Sequence, residues 1–181
     1  MNLANKITIL RVLMIPIFML VLLSDLQWNN YIAASIFIIA SLTDSLDGYI
    51  ARSKNQITAF GKFIDPLADK LLVTAALVCL IEMGRVPAWI VIIILAREFT
   101  ITGFRTIAAS QGITIAASPL GKIKTITQLI AIISLLIDNY PFRLINFSFD
   151  IIMLYISLFF TILSGIDYIY RNRHVLKSGK K

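Results

Sequence analysis

Apolar residues occur along this chain in six long runs that are separated by short polar stretches. The runs cover approximately residues 7–23, 31–52, 61–83, 88–109, 121–136 and 144–170. An α-helix needs about 20 predominantly apolar residues to cross the hydrocarbon core of a bilayer. The pattern therefore predicts an all-α integral membrane protein. It would be a six-transmembrane-helix bundle with a short N-terminal juxtamembrane segment, forming one domain over residues 1–181.

Composition supports the membrane class. Hydrophobic residues make up 58% of the 181 residues, whereas soluble domains usually contain about 45–50%. The single cysteine, Cys79, excludes an intrachain disulfide, and we interpret it as a small packing or lipid-facing residue. The first apolar run lacks a cleavage site of small residues and is followed by further runs, so we expect a retained helix rather than a signal peptide.

The net charge of +7 is distributed in a way that favours a membrane over nucleic acid. Basic residues occur in alternate loops and at the C-terminus, which is typical of membrane orientation and attraction to anionic lipids. Of the 17 Lys and Arg residues, all but two lie on or nearer to one side of the predicted membrane. The two exceptions are Arg85 and Arg143, which fall on the side of the loops after the first, third and fifth runs. We therefore predict a multi-pass protein of the cell membrane, with both termini and the loop after the second run facing the cytoplasm.

Four of the ten acidic residues lie within residues 44–69, inside or beside apolar runs, where each Asp costs about 2.5–3.5 kcal/mol at mid-membrane. On helices, Asp44 and Asp47 share one face, and Asp65 and Asp69 share another. Four carboxylates in one pocket repel each other unless cations bridge them. Oxygen ligands suit hard divalent ions such as Mg²⁺, Mn²⁺ or Ca²⁺ better than zinc. The alternative is that these acids are solvated at helix ends.

This stretch resembles the signature of the CDP-alcohol phosphotransferase family, D-x2-D-G-x2-A-R-x8-G-x3-D-x3-D. All eight specified positions match: Asp44, Asp47, Gly48, Ala51, Arg52, Gly61, Asp65 and Asp69. The resemblance implies an enzyme that transfers the phosphatidyl group of CDP-diacylglycerol to an alcohol and releases CMP. It also implies a pair of divalent ions, Mg²⁺ or Mn²⁺, held by the four Asp, and a homodimer.

The resemblance further implies roles for single residues. The last carboxylate, Asp69, is the general base on the acceptor hydroxyl as well as a metal ligand. The small residues Gly48, Ala51 and Gly61 let cytidine approach the backbone, and Arg52 contacts the nucleotide phosphates. The alternative for the small residues is close helix packing.

A polar stripe opens the first helix, because Asn5, Thr8 and Arg11 recur at every third position. Related enzymes begin with Pro-Asn-x-x-Thr-x-x-Arg, which Ala4 alters here at the first position. The resemblance implies that Asn5 and Thr8 contribute to CDP-lipid binding. The alternative is a helix turn at the membrane surface with ordinary polar anchors.

A second basic set, Arg97, Arg105, Lys122 and Lys124, comes from the fourth and fifth runs. Arg97 and Glu98 lie deep in an apolar run, where ionisable groups are functional candidates. A basic cluster in a membrane cavity suits a phosphate group on the acceptor. Membrane orientation alone could account for the two lysines.

The segments 96–105 and 121–128 resemble those of family members whose acceptor is sn-glycerol 3-phosphate. The resemblance therefore implies that the two substrates are CDP-diacylglycerol and glycerol 3-phosphate. Phosphatidylserine, phosphoinositol and cardiolipin synthases of the same family are alternatives. A divalent-cation transporter is a more distant one, since it needs an acidic path to the far side and the first, fifth and sixth runs have no deep acidic residue.

Overall fold

The computed structural model describes residues 3–53, 59–113, 115–116 and 118–173, and for 3–7, 44–53, 59–67 and 69 it describes the backbone only. Within these ranges the regular structure is entirely helical. The elements are α1 (Leu3–Leu22), α2 (Asn29–Ser53), α3 (Ala59–Glu82), α4 (Ala88–Ser110), α5 (Pro119–Leu136), a 3-10 turn (Phe142–Ile145) and α6 (Phe149–Arg171). The prediction of an all-α chain with one helix per apolar run is confirmed.

The start of the last helix differs from the prediction. The apolar run begins near residue 144, but α6 begins at Phe149. Asn146 adopts a left-handed conformation, with φ of 52°, which ends the 3-10 turn and which asparagine tolerates better than most residues. The Phe142 and Phe149 rings stack with their centroids 4.4 Å apart. The apolar run begins earlier than α6 because the turn itself contains the apolar residues Leu144 and Ile145.

Two helices in the described part of the chain, α5 and α6, are long and apolar enough to cross a membrane. Among the residues whose side chains are described, the apolar helices Thr8–Leu22 and Asn29–Thr43 are shorter. Helix α4 carries Arg97, Glu98 and Arg105 within its length. Six membrane spans therefore stay a prediction.

The chain forms two compact units, and the first comprises Met1–Arg85 and Leu135–Tyr140. In this unit α1 packs against α2 and α3. The Phe18 and Phe37 ring centroids lie 6.0 Å apart. Cys79 is buried, which confirms its interpretation as a packing residue.

A tight turn follows the end of α3. Gly84 has a φ of 69°, and its N–H donates to the Ile81 carbonyl at 2.8 Å, while the Arg85 N–H donates to Leu80 at 2.9 Å. This pair of bonds is a Schellman motif, in which glycine supplies the left-handed residue. The Arg85 guanidinium donates to the Leu135 and Leu136 carbonyls at 2.6 and 3.3 Å. It therefore satisfies carbonyls that a helix end leaves without intrahelical partners.

The second unit comprises Val86–Ser134 and Pro141–Lys181, and in it α4 packs against α6. The buried face of α6 consists largely of small or hydroxyl-bearing residues, which lets two helices approach closely. A hydrophobic cluster completes this contact, with Ile101, Phe104 and Ala108 of α4 around Tyr168 of α6. A second Schellman motif at Gly112 ends α4, with Ile113 N–H donating to Ala108 O at 2.9 Å, so the following loop returns to this cluster.

Candidate active site

The four signature aspartates lie on helices, as the spacing argument requires. Asp44 and Asp47 lie three residues apart on α2, and Asp65 and Asp69 lie four residues apart on α3. These two helices contact each other within the first unit. The helical spacing and the pairing of the two helices are therefore confirmed.

The side chains of several predicted site residues lie outside the described part of the structure. They belong to the eight signature positions and to Asn5. The metal-ligand, general-base and CDP-lipid roles of these residues stay predictions.

The two described members of the polar stripe at the start of the chain face inward. Thr8 and Arg11 are each 1% exposed within the first unit. A guanidinium is stable at such a position only in polar or charged surroundings. Their burial argues against simple anchors at the membrane surface, while binding of CDP-lipid by Thr8 stays a prediction.

The structure brings two of the four predicted acceptor residues together. The ammonium of Lys124, which is buried, donates to Oε1 of Glu98. Nη1 of Arg97 donates to the same oxygen at 3.3 Å. Arg97 and Lys124, from α4 and α5, are thus held on one carboxylate. The deep position of Glu98 beside Arg97 was the sequence signal for this contact, although its pairing with Lys124 was not predicted.

Helix α6 contacts the other terminal nitrogen of the Arg97 guanidinium. Nη2 of Arg97 donates to Oγ of Ser164 at 3.0 Å, and this hydroxyl donates to the Thr161 carbonyl at 3.1 Å. A Cβ atom at Gly165 would lie 3.1 Å from Cγ of Arg97. The absence of a side chain at Gly165 therefore makes room for Arg97, a function that sequence reasoning missed.

The other two predicted acceptor residues are more open. Nε of Arg105 donates to the hydroxyl of Tyr168 at 3.1 Å, and its guanidinium carbon lies 5.7 Å from the Tyr168 ring centroid. Phe104 packs edge-on against the same ring. Arg105 and Lys122 are both exposed, and within the described residues neither forms an ion pair. Tyr168 therefore fixes one nitrogen of Arg105 while the two terminal nitrogens have no hydrogen-bond partner in that part of the chain.

Three further polar side chains, one on α5 and two on α6, are buried. Within the described residues, Nε2 of Gln128 and the hydroxyls of Ser157 and Thr161 have no hydrogen-bond partner. Gln128 follows Lys124 by one helical turn on α5, and Ser157 and Thr161 precede Ser164 on the buried face of α6. Their spacing of three and four residues was the available sequence signal for this polar face.

Comparison with known proteins identifies the family. A family model described as CDP-alcohol phosphatidyltransferase matches residues 1–163. The chain belongs to this family. This membership confirms the resemblance that the signature in residues 44–69 indicated.

Curated relatives match over nearly the whole chain. An enzyme of Bacillus subtilis (strain 168) named CDP-diacylglycerol–glycerol-3-phosphate 3-phosphatidyltransferase is 47% identical, over 98% of each chain. A Rickettsia felis enzyme of the same name is 37% identical over 92% of this chain and 93% of its own. One from Sodalis glossinidius is 36% identical over 97% of both. The similarity therefore covers nearly the full length of these relatives as well as of the present chain.

Replacement of Ser164 by Ala tests the hydrogen bond to Arg97. The change leaves a half-buried guanidinium without one acceptor, so the free energy of unfolding should fall by about 1–2 kcal/mol. Thermal unfolding of the detergent-solubilised protein measures this as a midpoint that is lower by several degrees.

Ser134→Ala is the matched control. Ser134 is a buried serine of α5 whose hydroxyl donates to Ile130 O of its own helix at 2.7 Å, so its loss should change stability by less than about 0.5 kcal/mol. Equal shifts for the two variants would show that the Arg97–Ser164 bond contributes nothing specific.

Proposed function

We propose that the chain transfers the phosphatidyl group of CDP-diacylglycerol to sn-glycerol 3-phosphate, forming phosphatidylglycerophosphate and releasing CMP. The observation that carries the proposal is the 47% identity, over 98% of each chain, to the B. subtilis enzyme whose name states both substrates. The complete signature in residues 44–69 and the basic residues of α4 and α5 support it.

The proposal includes a cellular setting. The enzyme is a homodimer in the cell membrane, each chain spans the bilayer six times, and the termini and active site face the cytoplasm. Support comes from the apolar helices α5 and α6, from the distribution of basic residues and from the family resemblance.

The α2–α3 pair fits a divalent metal site. Two carboxylates on each of two contacting helices provide the hard oxygen donors that Mg²⁺ and Mn²⁺ prefer. We assign Asp44, Asp47, Asp65 and Asp69 as ligands of two such ions. When bound, the ions polarise phosphoryl oxygens and stabilise the departing CMP oxygen.

The remaining residues of the first unit orient the donor and activate the acceptor. Asp69 accepts the proton of the acceptor hydroxyl as that oxygen attacks the phosphorus. Binding of the CDP-lipid is assigned to a set of residues from α1, α2 and α3: Asn5, Thr8, Gly48, Ala51, Arg52 and Gly61. The burial of Thr8 supports its place in this set.

The second unit supplies cations for the phosphate of the acceptor, which we assign to Arg97, Arg105, Lys122 and Lys124. The exposed terminal nitrogens of Arg105 form a planar fork that matches two phosphate oxygens. Lys122 is exposed as well. The proximity of Arg97 and Lys124 on one carboxylate supports a concentration of positive charge there.

A comparison of acceptors tests the reaction. Purified protein with CDP-diacylglycerol and Mg²⁺ is given glycerol 3-phosphate, serine, inositol phosphate or phosphatidylglycerol, and CMP release and the lipid product are measured. We expect turnover with glycerol 3-phosphate alone, and preference for another acceptor would overturn the acceptor assignment. Cation flux in liposomes without CDP-lipid would instead favour a transporter.

Replacement of Asp69 by Asn should reduce transfer by more than about 100-fold, because the amide cannot accept the hydroxyl proton. The midpoint of thermal unfolding should stay within a few degrees of the wild type. Asp25→Asn, which makes the same change at an exposed acid between α1 and α2, should leave turnover unaltered. Near-normal turnover of the Asp69 variant would remove this residue as the base.

Replacement of Arg105 by Ala should raise the KM for glycerol 3-phosphate by roughly 10- to 100-fold, the loss expected for a hydrogen bond between charged groups. The KM for CDP-diacylglycerol should change by less than about twofold, because the lost contact belongs to the acceptor only. Arg173→Ala is the matched control, since the Arg173 guanidinium carbon also lies over a tyrosine ring, 5.0 Å from the Tyr170 centroid. Equal increases in both KM values would contradict the assignment.

A further inference from the structure

The carboxylate of Glu98 is shared by two cations of the second unit. Its Oε1 accepts hydrogen bonds from the Lys124 ammonium and from Nη1 of Arg97. The Glu98 side chain is 19% exposed and that of Arg97 is 14% exposed, while Lys124 is buried. Two cations, one from α4 and one from α5, are therefore held on one oxygen atom of Glu98.

Without the carboxylate, this arrangement would be unfavourable. Two cations in surroundings of low dielectric constant repel each other, and a buried charge that loses its partner costs several kcal/mol. The long side chains of lysine and arginine would also regain rotamer freedom. Glu98 therefore offsets the repulsion between the two cations and fixes the positions of their nitrogen atoms.

Two cations share one carboxylate oxygen in this cluster. The pair formed by Asp167 and Arg171 in α6 differs in this respect, because one carboxylate meets one exposed guanidinium at 2.6 Å. Two charged donors held close together suit the oxygen atoms of a phosphate group.

We infer that Glu98 is a positioning residue for the phosphate of the acceptor. It orients Lys124 and Arg97 before a phosphomonoester such as glycerol 3-phosphate binds. The inference rests on the proposed function, from which it takes the acceptor. Glu98 acts through the two cations and does not itself contact the phosphate.

Replacement of Glu98 by Gln tests the inference, because it preserves shape and removes charge. We expect the KM for glycerol 3-phosphate to rise by about tenfold or more, with kcat and the KM for CDP-diacylglycerol changed by less than about threefold. Glu98→Asp retains the charge and should give an intermediate KM. If the Gln variant fails to fold, the Asp variant tests orientation alone, because its carboxylate keeps the charge and is shorter by one methylene group.

Asp167→Asn is the matched control. Asp167 is also 19% exposed, lies in the same unit and bonds to Arg171, so the variant loses the same charge and a comparable ion pair. Both KM values should stay within about twofold of the wild type. An equal rise in the KM for glycerol 3-phosphate in this control would show that net charge, rather than orientation, is responsible.

A double-mutant cycle separates orientation from a general loss of structure. Because Glu98 acts partly through Lys124, adding Glu98→Gln to Lys124→Met should raise the KM for glycerol 3-phosphate by much less than the product of the single effects. Multiplying effects would overturn the inference. So would a Glu98→Gln variant whose KM is unchanged or falls, as it would if the carboxylate only competed with phosphate.

The two proposals fail in distinguishable ways. Turnover of the wild type with glycerol 3-phosphate tests the function by itself. Given that turnover, the Glu98 variants test only the positioning role. A wild type that uses only an acceptor without a phosphate group would overturn both proposals.

Discussion

Charged side chains within apolar helices need compensation, and the shared carboxylate of Glu98 provides it in the second unit. Helix α4 carries Arg97 and Glu98 in its middle, where each charge loses much of its hydration. The adjoining helices supply what the charges require: Lys124 from α5, and the Ser164 hydroxyl with space at Gly165 from α6. The small, polar face of α6 therefore serves both close packing and the solvation of a guanidinium.

The same constraint operates in the first unit with the opposite sign of charge. Four aspartates occur on α2 and α3, beside apolar stretches that form the core with α1. In the proposed enzyme, divalent ions from solution compensate these carboxylates, whereas the second unit compensates its cations with its own carboxylate and hydroxyl. In that proposal the difference has a chemical reason, because the metal ions stay bound while the cations of the second unit receive a new phosphate group at every turnover.

The sequence predicted the positions of the helices well, because apolar runs and glycines at helix ends are local signals. Gly84 and Gly112 end α3 and α4 through their left-handed conformations, as glycine commonly does. The start of α6 was less predictable, since the conformation of Asn146 is not recorded in hydropathy. Glu98, Ser164 and Tyr168 were missed as partners of the basic residues because these contacts join positions 26 to 67 residues apart. Such pairings depend on how helices pack, which a single sequence does not encode by spacing.

The basic residues of the second unit differ in how firmly they are held, and this difference has a physical use in the proposed reaction. Arg97 and Lys124 are fixed by Glu98, so little side-chain entropy is lost when an anion reaches them. Arg105 and Lys122 are exposed, and exposed cations attract a phosphate over longer distances. The cations held by Glu98 therefore favour binding in one orientation, whereas the exposed cations increase the rate of encounter. A set that combines both can capture a soluble phosphomonoester and then hold it in one orientation.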